Sequence, residues 1–278
     1  MKILLLLAAL CAGTPVHADA VKKTYAFGVL NQRSLQATAL YWNPILSHVS
    51  ARSGVPLELH IGRTAQETTD RVTAGQVDFA YTNHLFTPAR ARLGWRVLAR
   101  QDTPGIRGQI VVRETSPAQT LHDLEGQTVV FANAYAFAGY YVPMDALLRA
   151  GVQVTPEFAG NQEAAMARMA AGTAAAGVND QIMRDFAQRT GLKYRVLAES
   201  EPYFDLAVMV SPRVDPAVAE RVRKAFIDMK HEPEGQRVLQ GVAKVFELAA
   251  PRGFVVADDS HYANYRAFFA RTRVKLDD

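Results

Sequence analysis

The chain has 278 residues, of which 49% are hydrophobic and 21% charged, and its formal net charge is only +4. This composition is typical of a folded globular protein and excludes an intrinsically disordered chain. The sequence has no long run of like charges and thus lacks the basic stripe of nucleic-acid-binding proteins, so we expect no nucleic-acid partner. The length suffices for one large domain or two lobes of ordinary size.

The first residues have the features of a secretory signal peptide. A positively charged start precedes a short apolar segment, Ile3 to Ala12, and Val16 to Ala18 end in the small residues that signal peptidase reads. We therefore predict that residues 1–18 are a signal peptide cleaved after Ala18, with Ala20 as the alternative, and that the mature protein is periplasmic. The apolar segment is shorter than the ~20 residues that span a bilayer.

Cys11 is the only cysteine of the chain. A cysteine at this place also suggests a lipoprotein signal, but Leu10 before it is a poor match to the small residue that such a signal requires. Cleavage after Ala18 removes Cys11, so the mature protein has no thiol. We therefore expect no disulfide, no cysteine nucleophile and no cysteine-based metal site.

Short β-like runs alternate with amphipathic helical segments along the mature chain. Leu57 to Gly62 has the pattern of a strand, and Thr64 to Glu67 then matches the capping box that begins a helix. Gly75 ends this helix, and Val77 to Thr82 is the next predicted strand. A β-α-β unit of this length predicts parallel strands with a right-handed crossover.

The same alternation continues and predicts an α/β protein. Further strands are predicted at Trp95 to Arg100, Gln109 to Arg113, Thr128 to Ala132, Val154 to Ala159 and Ala174 to Val178. Further helices are predicted at about Ala138 to Ala150, from Asn161 to Gly172, from an Asp180 cap to Gly191, from Asp215-Pro216 onward, and around Ser260 to Arg271. We interpret Trp42 and the stripe Tyr262, Tyr265, Phe268 and Phe269 as core residues.

Motifs of the common catalytic and phosphate-binding sites are missing. The chain contains no G-x-x-x-x-G-K-[ST] or G-x-G-x-x-G loop and no G-x-S-x-G nucleophile elbow. The segment His231 to Glu234 lacks the second histidine of a zinc motif, and the other histidines are scattered singly, as surface or capping residues commonly are. We therefore expect no enzyme, no metal site and no cofactor.

Four segments form an ordered set of weak motifs that covers most of the mature chain. They are Tyr25 to Pro44; Gly75 to Tyr81, of the form G-x-[VI]-D-[IVF]-A; Leu121 to Phe131, followed by Ala138 to Pro143; and Phe158 to Ala164. In this order they resemble the phosphate/phosphite/phosphonate-type (PhnD-like) substrate-binding proteins of ABC transporters. Each motif alone is weakly specific, whereas their order and spacing together are fairly specific.

The resemblance implies the type II periplasmic-binding fold, in which two lobes joined by two crossovers close on a ligand like a hinge. Each lobe would be a mostly parallel sheet flanked by helices. Lobe 1 would hold residues 21–108 plus 207–278, and lobe 2 would hold residues 109–206. The implied partners are a small-molecule ligand and an ABC permease, and the expected oligomeric state is a monomer.

One departure from the family bears on the ligand. Phosphonate binders of this family present three hydroxyl side chains before the glycine that is here Gly139, but this chain has Ala136, Phe137 and Ala138. A tetrahedral oxyanion would lose three hydrogen bonds of about 1 kcal/mol each. We therefore expect a small polar or anionic organic ligand with an apolar or aromatic part instead of a phosphonate.

Ligands of open α/β sheets bind beyond the carboxyl ends of strands, and this rule selects a set of polar and aromatic loops. Each selected residue also has an ordinary structural explanation, such as N-capping by Asn161 or Asp180. Arg33, Arg63 and Arg107 are weaker candidates for neutralising an anion. The predicted ligand-binding residues are Asn31, Tyr81, Thr82, Asn83, Tyr135, Ala136, Phe137, Ala138, Asn161, Gln162, Asn179, Asp180 and Tyr203.

These features of the sequence suggest three hypotheses about function. The first is a periplasmic solute-binding protein that captures its ligand in an interlobe cleft and delivers it to an ABC permease. The alternative is a ligand-sensing protein of the same fold that signals to a membrane histidine kinase or another receptor. Both use the same closure, so the sequence does not separate them, and an enzyme on this fold is the third and least favoured hypothesis.

Overall fold

The computed structural model describes residues 23–248 and 250–276, so the predicted signal peptide and Cys11 lie outside the described residues. The predicted α/β class is confirmed, with two sheets that are each flanked by helices. The strands are β1 (Tyr25–Val29), β2 (Leu57–His60), β3 (Phe79–Thr82), β4 (Arg96–Gln101), β5 (Gly108–Arg113), β6 (Thr128–Phe131), β7 (Thr155–Phe158), β8 (Ala175–Asn179), β9 (Tyr194–Glu199), β10 (Ala207–Val210) and β11 (Phe254–Val256). The helices are α1 (Leu35–Ser53), α2 (Ala65–Thr73), α3 (Pro88–Ala91), α4 (Val142–Arg149), α5 (Gln162–Ala171), α6 (Asp180–Thr190), α7 (Pro216–Asp228), α8 (Pro233–Val245) and α9 (Ala263–Phe269).

Both sheets are mixed, which corrects the expectation of mostly parallel sheets. The first has the order β11-β4-β10-β3-β1-β2, and the second has the order β7-β6-β8-β5-β9. The predicted β-α-β unit is β2-α2-β3, and its two strands are parallel, but they lie on either side of β1 and do not pair with each other. Strands β5 and β10 run antiparallel to both of their neighbours. They are the first strands after the chain passes from one sheet to the other, so they enter in the opposite direction.

Two short segments connect the sheets, as the predicted fold requires. Residues 102–107 lead from β4 to β5, and residues 200–206 lead from β9 back to β10. The segments pair with each other, because Ile106 N donates to Tyr203 O at 2.6 Å and Tyr203 N donates to Ile106 O at 2.8 Å. Such a paired double connection is suited to a hinge.

Local capping explains where several helices begin. The Thr64 hydroxyl accepts from Glu67 N at 3.1 Å, as the capping box predicts, and the Asp215 carboxylate caps α7 just before Pro216. Helix α6 differs from the prediction, because its cap is Asn179 and Asp180 is already the first helical residue. The predicted helix from Ala138 instead begins with one turn of π-helix, Phe137–Tyr141, which continues into α4.

Aromatic side chains dominate the core of the first sheet. Phe27 contacts Trp42 and Phe226 with ring centroids 5.5 and 5.8 Å apart, and Phe226 contacts Phe254 at 4.8 Å. Trp42 is 4% exposed, in agreement with its predicted place in the core. Within residues 23–248 and 250–276, the helices lack the combination of length and apolar character that crossing a membrane demands.

The aromatic stripe near the C-terminus joins the two halves of the molecule. Tyr262, Tyr265, Phe268 and Phe269 are buried, as predicted for core residues. Helix α9 packs against the π-turn that precedes α4, where the Phe137 ring stacks on Tyr265 with centroids 3.9 Å apart. Helix α9 therefore links the two halves of the molecule, in addition to the two connecting segments.

Candidate functional site

Two small adjoining cavities lie where residues from both sheets meet, and each has a volume of about 30 Å³. They share the wall residues Leu30, Gln32, Asn179 and Asp205, so we treat them as one interlobe cleft. A cavity of this size holds about one water-sized group. A larger ligand therefore requires the two halves of the cleft to move apart.

The first cavity, which we call the aromatic cavity, is lined by Tyr41, Trp42, Tyr81 and Gln101. The Tyr81 hydroxyl donates to Gln101 Oε1 at 3.1 Å, and Gln101 Nε2 donates to the Tyr41 hydroxyl at 2.6 Å. Burial raises the pKa of Tyr41 and holds that of Tyr81 well above 10, so both hydroxyls are neutral donors. Because Tyr41 accepts from Gln101, its own proton is available to an acceptor on a ligand.

Charged groups at the same cavity favour an anion. Arg33 and Arg252 both line it, together with Asp205. Burial raises the pKa of the Asp205 carboxyl above its ordinary 3.8. The hydrogen bond from Leu206 N–H and the charges of the two guanidinium groups oppose this effect. Arg252 also reaches across to Asp185 of α6, with Nη2 and Oδ2 3.4 Å apart. The two guanidinium groups are thus balanced by the carboxyl groups of Asp205 and Asp185, and they offer an anion charged donors without a net positive charge.

The second cavity, which we call the amide cavity, is lined largely by side-chain amides and by the loop before α4. Gln162 Oε1 accepts from Asn179 N at 3.2 Å, and Asn179 Oδ1 accepts from Gln181 N at 2.9 Å. A Cβ added to Gly139 would lie 2.2 Å from Gln162 Nε2, so the absence of a side chain at Gly139 lets this amide pack onto the loop. The loop before α4 and the side-chain amides of Gln162 and Asn179 therefore form one wall of the cavity.

Eight of the thirteen predicted residues line the cleft. Asn31 does so while its Nδ2 donates to Gly62 O at 2.8 Å and its Oδ1 accepts from the Thr68 hydroxyl at 2.6 Å. Phe137 lines it only in part, because its ring is packed against Tyr265 and is 2% exposed. The eight residues are Asn31, Tyr81, Asn83, Ala136, Phe137, Ala138, Gln162 and Asn179.

Three predicted residues lie outside both cavities because their side chains serve local backbone groups. The Thr82 hydroxyl accepts from His84 N at 3.1 Å. Asn161 is the N-cap of α5, with its Oδ1 accepting from Ala164 N at 2.9 Å. The Asp180 carboxylate accepts from Arg107 N at 2.7 Å and pairs with Arg184 at 2.7 Å, so it fixes the start of α6 to a connecting segment.

Tyr135 and Tyr203, two further predicted residues, also lie outside the cleft. The Tyr135 ring contacts His84 with centroids 6.0 Å apart, and the Arg90 guanidinium lies over it at 4.9 Å. Tyr203 lies in the second connecting segment, as predicted, where its ring packs edge-on against Phe137 at 4.8 Å. Tyr203 is therefore part of the paired double connection instead of a wall of either cavity.

Sequence reasoning missed several cleft residues. Gln101 is the last residue of β4, so the strand-end rule would have found it had the loop after β4 been included. Asp205 lies in a connecting segment and carries no pattern of its own. The missed wall residues include Gln32, Tyr41, His84, Gln101, Asn133, Gln181, Asp205 and Arg252. Of the three candidate arginines, Arg33 lines the aromatic cavity, while Arg63 has an 89% exposed side chain and Arg107 bonds to Ser200 O.

His84 is the one imidazole in the cleft wall among the described residues, and it is 3% exposed. Its Nδ1 lies 2.8 Å from the Thr69 hydroxyl, and its buried Nε2 has no hydrogen-bond partner within the described part of the chain. Burial, with a smaller contribution from the Arg90 guanidinium, lowers the pKa of His84 from 6.5 to about 3. The ring is therefore neutral at physiological pH.

Acid is expected to destabilise the protein through His84. The unfolded imidazole titrates near 6.5, whereas the folded pKa is about 3, so between these values the unfolded chain binds the extra proton. The free energy of unfolding therefore falls as the pH drops below about 6.5, and by about pH 4.5 this contribution amounts to about 2 to 3 kcal/mol.

Urea unfolding at about pH 7.5 and about pH 4.5 measures this fall. The variant His84→Gln lacks the titrating imidazole, so its free energy of unfolding should fall by about 2 to 3 kcal/mol less than that of the wild type. His60→Gln is a matched control, because the His60 side chain is 35% exposed, and it should keep the wild-type fall. Equal falls in the wild type and in His84→Gln would contradict the prediction.

No group of three or more metal-ligating side chains occurs among the residues that the structure describes. The polar side chains of the cleft are amides, phenols, guanidinium groups, the Thr38 hydroxyl, one carboxyl and one imidazole. Such groups hold a small polar solute by hydrogen bonds and charge.

Comparisons with known proteins agree with this geometry. Residues 27–262 match the family model described as the periplasmic substrate-binding protein of the phosphonate ABC transporter, so the chain belongs to this family. Among solved structures, PhnD1 from Prochlorococcus marinus in complex with methylphosphonate has the same fold, with a TM-score of 0.75 and 15% identity over 89% of this chain and 97% of that one. The family and the fold are those of periplasmic substrate-binding proteins, which are not enzymes.

Two curated relatives match about half of the chain each. The tetrathionate sensor histidine kinase TtrS of Salmonella typhimurium is 29% identical over 150 residues, which are 49% of this chain and 24% of the kinase. The phosphonates-binding periplasmic protein of Escherichia coli is 23% identical over 143 residues, which are 46% of this chain and 42% of that protein. The matched regions thus span less than half of the length of either relative.

Proposed function

We propose that this protein captures a small polar solute with an anionic group in the interlobe cleft and delivers it to an ABC permease. The observation that carries the proposal is a cleft whose walls come from both sheets, at a paired double connection. Closure around the solute lets both sheets contact it at once, and no bond is made or broken. The lobes, residues 21–108 plus 207–278 and 109–206, and the monomeric state are part of the proposal.

The charged groups and one helix start around the cleft support an anionic group on the ligand. Arg33 and Arg252 supply charged donors, and the π-turn before α4 begins without a side-chain cap, whereas Asn179 caps the first N–H groups of α6. The side chains of Ala136 and Ala138 add no hydroxyl there. We therefore propose an organic anion in preference to a phosphonate.

A thermal-shift screen followed by calorimetry tests the proposal. Organic acids, amino acids, sulfonates and inorganic oxyanions are compared, because a ligand that binds the folded protein stabilises it by RT ln(1 + [L]/Kd). Arg33→Ala should weaken binding of the best acid at least about tenfold, as loss of a charge-assisted bond requires. Arg63→Ala removes an exposed guanidinium and should leave the affinity unchanged. Tight binding of alkylphosphonates with no response to organic acids would reject the proposed ligand class.

A second candidate function is sensing, in which the closed form docks on a membrane histidine kinase. The similarity of 49% of this chain to 24% of a tetrathionate sensor kinase favours it. The test is a deletion strain supplied with the solute found in the screen. Loss of uptake supports transport, whereas loss of the transcriptional response to the solute with unchanged uptake supports sensing. Neighbouring genes for a permease and its ATPase, or for a kinase, give an independent indication.

A further inference from the structure

The hydrogen-bond pattern of α2 determines which nitrogen of His84 carries the proton. The Thr69 hydroxyl oxygen lies 2.8 Å from Ala65 O and also 2.8 Å from His84 Nδ1. The hydroxyl has one proton to donate. If that proton pointed at Nδ1, the two oxygens would face each other at 2.8 Å with no proton between them, which is electrostatically unfavourable.

The favourable arrangement has the Thr69 proton on Ala65 O and the Nδ1–H of His84 donating to the Thr69 oxygen. A neutral imidazole carries one proton, so Nε2 is then an unprotonated acceptor. Arg90 donates to His84 O at 3.2 Å, and its positive charge disfavours a second proton on the ring. Nε2 is buried and has no partner in the described residues, so its lone pair lacks a donor.

A buried acceptor without a donor is unfavourable unless something else supplies one. His84 lines the amide cavity, and Asp205, whose carboxyl oxygens are also acceptors, lines both cavities. The adjoining aromatic cavity offers donors from the Tyr41 hydroxyl, Arg33 and Arg252. The cleft therefore has these donors on its aromatic side and the unpaired acceptor His84 Nε2 on its amide side.

We propose that His84 Nε2 is a specificity determinant of the cleft that selects ligands with an N–H or O–H donor on the group opposite to their anion. This inference rests on the proposed solute-binding function and narrows its ligand class. Ligands whose oxygens are all unprotonated acceptors cannot donate a hydrogen bond to Nε2. Small hydroxy acids and amino-substituted acids satisfy both sides of the cleft.

The first arm of the test needs neither a ligand nor a variant. The full mature protein is labelled with ¹⁵N-histidine, and two-bond ¹H–¹⁵N spectra are recorded at about pH 7, with His84→Gln used only to assign the signals. We expect one imidazole with a proton on Nδ1 and a pyridine-type Nε2, retained down to about pH 5. A proton on Nε2, or an imidazolium at neutral pH, would overturn the proposal.

The second arm compares pairs of probes that differ by one donor: acetate with glycolate, propionate with β-alanine, and methylphosphonate with hydroxymethylphosphonate. In calorimetry the donor-bearing member of a pair that binds should bind the wild type about tenfold more tightly. The variant His84→Phe, which keeps a ring but removes the acceptor, should reduce this preference to less than about threefold, while His60→Phe should keep it.

The outcomes separate the two proposals. Binding without a preference for the donor in the wild type overturns the role of His84 but leaves solute capture intact. A preference that survives in a folded His84→Phe variant overturns it as well. If no member of any pair binds, these probes contradict the proposed class of solute, and the tautomer seen by NMR alone decides whether Nε2 is the acceptor inferred here.

Discussion

Replacing Phe137 with alanine is expected to lower the free energy of unfolding by about 3 to 5 kcal/mol. The ring is 2% exposed and stacks on Tyr265, and it also packs against Tyr203, Phe268 and Phe269 at 4.8 to 5.5 Å. These contacts connect the π-turn before α4 to helix α9 and to a connecting segment. Truncation thus leaves a cavity at the junction of the two halves.

Urea unfolding monitored by circular dichroism measures the effect of Phe137→Ala, and the slope of the transition tests whether the two halves still unfold together. Phe158→Ala is the matched control, because Phe158 is 43% exposed, and its loss should be less than about 1 kcal/mol. A loss for Phe137→Ala as small as that of Phe158→Ala would show that the aromatic junction contributes little to stability.

The packing of Phe137 also bears on the ligand. The sequence suggested that the Phe137 ring contacts the solute, whereas the structure uses both the face and the edge of the ring for packing. We therefore expect an affinity change for Phe137→Leu smaller than that for Arg33→Ala. The backbone of residues 136–139 still borders the cleft, so this loop contributes N–H groups and shape instead of hydroxyls.

Replacing Gly177 with alanine is expected to cost about 3 kcal/mol through overpacking. An added Cβ would lie 2.4 and 2.5 Å from Cδ1 and Cε1 of Phe131 and 3.2 Å from Gly139 O. Phe131 is fully buried and contacts Tyr140 edge-on at 5.1 Å, so its ring has little room to move. The strain therefore reaches the loop that borders the amide cavity.

The control for Gly177→Ala is Gly241→Ala in α8, because nothing lies within 4 Å of the Cβ that it would add. Alanine in a helix is favoured over glycine, so this control should stabilise the protein by about 0.5 to 1 kcal/mol. Thermal unfolding of both variants under one set of conditions gives the comparison. Similar melting temperatures for the two variants would contradict the close packing of β8 on the π-turn.

The sequence by itself determined the features that have local causes. The capping box at Thr64 and the Asp215-Pro216 start of α7 follow from residues within a few positions of each other, and the alternation of strand and helix patterns along the chain indicated the parallel strands around β1. The order of the four weak motifs also led to the correct family. Strand-end loops led to eight residues that line the cleft.

The tertiary structure alone decided the features that join distant residues. The antiparallel entry of β5 and β10, the Tyr41–Gln101–Tyr81 chain and the packing of Phe137 on Tyr265 depend on which segments meet in space. Asp205 and His84 acquire their character only there, because burial beside charged groups shifts their pKa. Short-range patterns determine where elements begin and end, whereas the neighbours of a side chain depend on the sheet order and on how the two sheets face each other.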